Sequence, residues 1–171
     1  MRYIKVAKKR IYRLINTGPL VLVSTVSKAG KYDIAPVAWM CPLEFEPPRL
    51  LLCLDPGHRT SDNILKTRKF SVSVPHASQT GIVEKAGSVS GKDTDKFRAF
   101  EIKAFKAKKT GCLVPEGVIG YIECRLIKAI DVKGTLIVAA EALCASADSR
   151  AFDGKRLLAE KKAGKALHHL G

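Results

Sequence analysis

The stretch PLVLVSTVSKAGKYDIAPVAW, Pro19 to Trp39, decides the architecture. From Pro19 to Ser27 the residues are mainly β-branched or apolar, Ala29-Gly30 supplies a turn, and Tyr32 to Trp39 returns as a second extended run. This pattern predicts a β-hairpin. Upstream, Ile4, Ala7, Ile11, Leu14 and Ile15 share one helical face, and Thr17-Gly18-Pro19 stops the helix. Downstream, Glu46-Pro47-Pro48 forms a rigid, extended approach to a third strand over Arg49 to Leu54. Thr60 or Ser61 can then cap a helix that runs to about Thr67.

Phe70 to Val74 is a strand by composition, and His76 to Lys85 reads as a short helix ending at Gly87. Val118 to Val132 and Thr135 to Ala145 flank Lys133-Gly134 as a second hairpin with long arms. Strands outweigh helices and do not alternate with them, which argues against a doubly wound parallel sheet. A mainly β protein, an antiparallel barrel with a few peripheral helices, is expected instead. At 171 residues, one domain over 1–171 is long enough to bury its own core.

Composition narrows the class. Apolar residues make up 46% and charged residues 27%, which is ordinary for a globular chain. No apolar run approaches the roughly 20 residues that span a bilayer, and the N-terminus has no unbroken apolar core ahead of a cleavage site, so a cytoplasmic protein is expected. Cys41, Cys53, Cys112, Cys124 and Cys144 are odd in number and widely spaced, which reads as reduced, mostly buried small hydrophobes with no metal site. The net charge of +14 is the one oddity. Much of it lies in Lys92 to Lys109 and Lys155 to Lys165, read as solvated faces that would also attract phosphate-bearing ligands or acidic proteins. Without a helix-turn-helix, zinc finger or RNP-like aromatic strand, nucleic acid is the minor reading.

Three segments carry chemistry. In DIAPVAW, Asp33 to Trp39, a proline inside a strand frees part of the backbone from pairing, so Ala35 to Met40 can offer amides and an apolar slot to a flat ring. The bland alternative is an edge strand with a core tryptophan. In LDPGHRTSDNI, Leu54 to Ile64, a strand ends in a turn and a helix begins. Its unpaired N–H groups and positive dipole end, the hydroxyls of Thr60 and Ser61 and the Arg59 guanidinium suit a phosphate, or else the segment is an ordinary capped helix. In SVSGKDTDKF, Ser88 to Phe97, Ser88 and Ser90 lie around a strand-to-loop junction and Lys96 follows two acids. The alternative there is a charged surface loop.

Taken together, the order and spacing of these segments, with FSVSVP between the second and the third and Glu123-Cys124 after, resemble the flavin reductase-like, FMN-binding split-barrel family, including flavoredoxin-type proteins. The resemblance runs from about Pro19 to Gly171, and LHHLG looks like a family tail that usually continues a little further. It implies a split β-barrel of Greek-key type. By it, Val37, Ala38, Trp39 and Met40 would flank the isoalloxazine, and Leu54, Asp55, Pro56, His58, Arg59 and Thr60, with Ser61, would hold the ribityl phosphate. Ser88, Ser90 and Lys96 would close the site. Related proteins are commonly homodimers, with the flavin near the interface.

FMN is expected over FAD, because nothing resembles an adenine-binding fingerprint. NAD(P)H or a reduced protein would donate electrons, and free flavin, ferric complexes or another redox protein would accept them. Two positions depart from the family pattern. Asp33 stands where relatives often carry asparagine, and Lys133-Gly134-Thr135-Leu136 lacks the Gly-Asp-His whose histidine stacks on nicotinamide. His168 or His169 could substitute for it. The rival function is a non-enzymatic basic barrel for single-stranded nucleic acid.

Overall fold

The computed structural model describes residues 18–167. The expected helix over Ile4 to Ile15 lies outside them. Nine strands are described: β1 (Val21–Val26), β2 (Tyr32–Val37), β3 (Met40–Glu44), β4 (Arg49–Leu54), β5 (Lys69–Val74), β6 (Ala104–Lys106), β7 (Leu113–Pro115), β8 (Gly120–Asp131) and β9 (Leu136–Ala147). Three α-helices accompany them: α1 (Arg59–Thr67), α2 (Thr80–Ser88) and α3 (Lys96–Ala99). Seven strands form one sheet in the order β2-β1-β5-β8-β9-β4-β3, and each of its pairs is antiparallel.

Both expected hairpins form. Gly30, at φ 76°, turns β1 into β2, and Lys133 and Gly134, both at positive φ, turn β8 into β9. Burial holds the arms in place: β1 is buried on both faces from Val21 to Thr25, and β9 buries alternate side chains from Leu136 to Ala140. Val21 and Val23 of β1, Leu50, Leu52 and Leu54 of β4, Phe70 and Val72 of β5, and Val138 of β9 meet in one interior cluster with Val37 and Met40. Residues from both ends of the strand order therefore share a core, so the sheet curls into a barrel. The ladder stays open between β2 and β3, which makes the barrel split. Ile64 of α1, fully buried, packs into this interior cluster. On the other face of β1 and β2, Leu22 and Ile34 pack with Val83 and Ala86 of α2 and Phe97 of α3.

Several local expectations are corrected. The second extended run stops at Val37, and β3 follows as an unanticipated strand. The Pro47-Pro48 pair sits in the β3–β4 hairpin turn rather than in an extended approach, because the antiparallel pairing of β3 with β4 needs a reversal there. Residues 77–79 form a 3₁₀ turn before α2, which runs on to Ser88. The cysteines are free but not mostly buried: Cys112 and Cys124 are buried, whereas Cys41 lies on the exposed edge strand β3 and Cys144 in the exposed far half of β9. Trp39 is 47% exposed and so is not a core tryptophan, since it falls in the link between the two barrel edges.

Candidate functional site

Helix α1 begins where β4 ends. Asp55 builds the turn: its carboxylate accepts from Gly57 N (2.7 Å), and its carbonyl accepts from His58 N (3.3 Å) and Ser61 Oγ (2.6 Å). The N-cap residue is His58, whose side chain makes no capping bond, and not Thr60 or Ser61 as the sequence suggested. Those two lie inside the first turn with their hydroxyls turned into the protein. Thr60 Oγ1 donates to Asp33 Oδ2 (2.9 Å). The first-turn amides of α1 thus lack a side-chain acceptor from the cap, the arrangement that favours an anion. Asp62, also in this turn, is paired with Lys66 (2.7 Å), which holds its carboxyl below the usual carboxylate range.

Against this helix start lies a cleft of about 320 Å³. Its walls are β2 (Asp33, Ala35, Pro36), the α1 start (His58, Arg59, Thr60), the end of α2 with the following loop (Ala86 to Gly91), and Lys96. Of the predicted residues, it brings together His58, Arg59, Thr60, Ser88, Ser90 and Lys96. Ser88 closes α2 rather than a strand, with its hydroxyl donating to Lys85 O (2.9 Å).

The other predicted residues do not line the cleft. Asp55, Pro56 and Ser61 support it as the turn beneath the helix start. Leu54 and Val37 point into the barrel core, Met40 packs against that core, and Ala38 and Trp39 link β2 to β3. His168 and His169 lie outside the described residues.

Lys96 is the largest surprise. The resemblance placed it at the site, but its local context put it among solvated charges, and it is 4% exposed. Its Nζ donates to Ile34 O and Ala86 O (both 2.8 Å) and lies 3.4 Å from Asp33 Oδ1. It ties β2, the end of α2 and the Asp33 carboxylate together, which matters because Asp33 is itself 2% exposed and a buried carboxylate needs a counter-charge. Ala35 and Pro36 fall in the Ala35 to Met40 run expected to meet a ligand, whereas Asp33 and Gly91 were not predicted as lining residues, although the small-residue run AGSVSG, Ala86 to Gly91, was a legible signal of close approach. A Cβ on Gly91 would fall onto Asp33 Oδ1 and 2.5 Å from its Cγ; one on Gly87 would stand 3.0 Å from Pro36 Cγ. Gly91 O also accepts from Arg59 Nε (3.3 Å), so the glycine loop orients the guanidinium at the cleft wall.

The chain is thus a split antiparallel barrel with a concave cleft between β2, the start of α1 and the loop after α2. It belongs to the flavin reductase-like domain family, whose model matches residues 13–165. An Escherichia coli K12 protein, the uncharacterized protein YddH, is 34% identical over 99% of this chain and 92% of its own length. Among solved structures, an FMN-binding domain of a flavin reductases-like enzyme from Shewanella baltica is 26% identical, with a TM-score of 0.79 over 97% of this chain and 88% of that one. Flavoredoxin from Methanosarcina acetivorans, 21% identical, shares the fold with a TM-score of 0.77 over 89% of this chain and 78% of that one.

Proposed function

We propose that this chain is a single FMN-binding domain that passes electrons between NAD(P)H or a redox protein and free flavin, a ferric complex or another protein. The observation that carries the reading is the cleft: in a chain of this family, a helix start without a side-chain cap, Arg59 and the Ser88–Gly91 loop converge on one concave site. The first-turn amides of α1 and Arg59 would hold the phosphate, and Ser90 would add a hydroxyl. The flavin, when bound, supplies the hydride and electron chemistry.

The cleft volume is at the lower end of small-molecule sites, which span roughly 300–1,000 Å³. It suits the ribityl phosphate, with the ring extending along the open edge of β2 toward Ala38, Trp39 and Met40. FMN fits this better than FAD. A ring at the seam calls for a cover, and the neighbouring edge strand β3 supports a homodimer as that cover: Trp39 (47%) before the strand, Leu43 (48%) in it and Phe45 (92%) in the turn after it are all exposed. Five free cysteines accord with a reducing, cytoplasmic setting. Titration of the purified protein with FMN tests the reading. Quenched flavin fluorescence saturating at one FMN per chain is expected, and unchanged fluorescence at micromolar concentration overturns it.

A further inference from the structure

At the far end of α1 from the cleft, the chain gathers cations on one face. Arg68 caps the helix in the left-handed region (φ 59°) and donates through Nη2 to Leu126 O (2.9 Å) and Ile127 O (3.4 Å). Lys69 stands directly opposite Arg125 in the β5–β8 ladder, and its Nζ donates to Lys109 O (3.4 Å). That last bond places the tight turn between β6 and β7, with Lys108 and Lys109, over the same face. The turn is anchored from below: Thr110 Oγ1 meets Ser71 Oγ at 2.9 Å, and Lys109 N and Thr110 N donate to Glu123 Oε2. Lys128, beyond a bulge in β8, continues the row.

All six of these cations are exposed. Within this group, among the described residues, one solvent-accessible carboxylate answers them, Glu141 on Arg125 (2.7 Å). Glu123, the other nearby acid, is 2% exposed and is occupied by the turn's amides. Like charges directly opposite in a ladder are destabilising. The fold nevertheless sets Lys69 against Arg125 and fixes Arg68 and Lys69 on backbone carbonyls, so the charges are pre-ordered rather than free to spread into solvent.

We propose that this face docks an acidic protein. Exposed aliphatic residues adjoin the cations: Ile127 (41%), whose carbonyl Arg68 holds and which Lys128 follows, and Leu65 (46%), one helical turn before Arg68. An apolar centre with a charged rim is protein-interface anatomy. Single-stranded nucleic acid would need aromatic side chains free for base stacking; Leu65 and Ile127 are aliphatic, and Phe105 (42% exposed), on the same β6–β7 hairpin as Lys108 and Lys109, is already engaged edge-on by Tyr121. The nine residues of α1 separate the face from the cleft by about 13 Å at 1.5 Å per residue, so a partner docked on the face would lie next to the cleft. Docking does not depend on flavin being bound. Its link to electron delivery rests on the function proposed above.

The test uses the intact chain and a fluorescent polyglutamate peptide of about 20 residues, followed by anisotropy at low salt. Lys69→Glu/Lys109→Glu/Lys128→Glu is compared with Lys155→Glu/Lys161→Glu/Lys165→Glu, which changes net charge equally on the exposed C-terminal stretch. The first set is expected to weaken the peptide at least about tenfold and the second less than about threefold. Equal losses would show a response to net charge alone and overturn the proposal. So would tighter binding of an oligothymidylate of equal formal charge with the same variant dependence, which would assign the face to nucleic acid. The readout contains no flavin, so failure here leaves the FMN titration unaffected.

Discussion

Replacing Lys96 by methionine tests the central support of the cleft. The substitution keeps the apolar stem and removes a buried ammonium that donates to Ile34 O and Ala86 O at 2.8 Å and neutralises Asp33 at 3.4 Å. What remains is a carboxylate at 2% exposure whose retained contact is the Thr60 hydroxyl, together with two carbonyls stripped of their donor. Breaking a buried pair by deleting one partner costs about 3–5 kcal/mol, a large share of the roughly 5–15 kcal/mol that holds a domain together. With a urea slope of about 2 kcal/mol/M, the unfolding midpoint should fall by about 2 M in circular dichroism at pH 7. Asp33→Asn/Lys96→Met should cost less than the sum of the two single changes, with a coupling of at least about 1 kcal/mol, because the double variant buries no lone charge. A loss below about 1 kcal/mol for Lys96→Met, or strict additivity, would refute the reasoning: Lys96 would then be a solvated surface charge, as its sequence context suggested.

Further expectations concern single positions. Gly91→Ala drives a Cβ into the Asp33 carboxylate and displaces the carbonyl that orients Arg59, so it should lower stability by about 1–3 kcal/mol in the same urea assay and weaken FMN in the fluorescence titration. Arg59→Ala should weaken FMN about tenfold or more while leaving riboflavin, which has no phosphate, little changed; equal losses in parallel titrations would remove Arg59 from the phosphate site. Glu123 feels burial, which raises its pKa, but hydrogen bonds from Thr110 N, Lys109 N and the Thr110 hydroxyl prevail and hold it below the ordinary glutamate value. Its folded pKa is depressed, so its contribution is complete above the unfolded value of about 4.3 and disappears as pH falls through the folded one. Glu123→Gln should flatten the acid limb of a plot of unfolding free energy against pH.

Much of this protein was legible along the chain, because hairpins and strands are local patterns. Gly30 between two β-branched runs and Lys133-Gly134 between two long ones specify the turns without reference to anything distant. The helix start at Arg59 could likewise be read from a strand followed by a turn and polar residues, although its cap falls at His58 and not at Thr60 or Ser61. What the residues near Lys96 do could not be read this way. Lysine after two aspartates looks solvated in any local window, and only the packing of α2 and α3 on the outer face of β2 brings Ile34, 62 residues earlier, within reach of its ammonium. Trp39 went the same way in reverse, since a lone tryptophan reads as core until the seam between β2 and β3 leaves it at an edge. Local sequence determined the elements and their turns through backbone conformational preference. Which polar groups were buried, and against what, was decided by tertiary structure, because desolvation depends on the neighbours that folding brings from far along the chain.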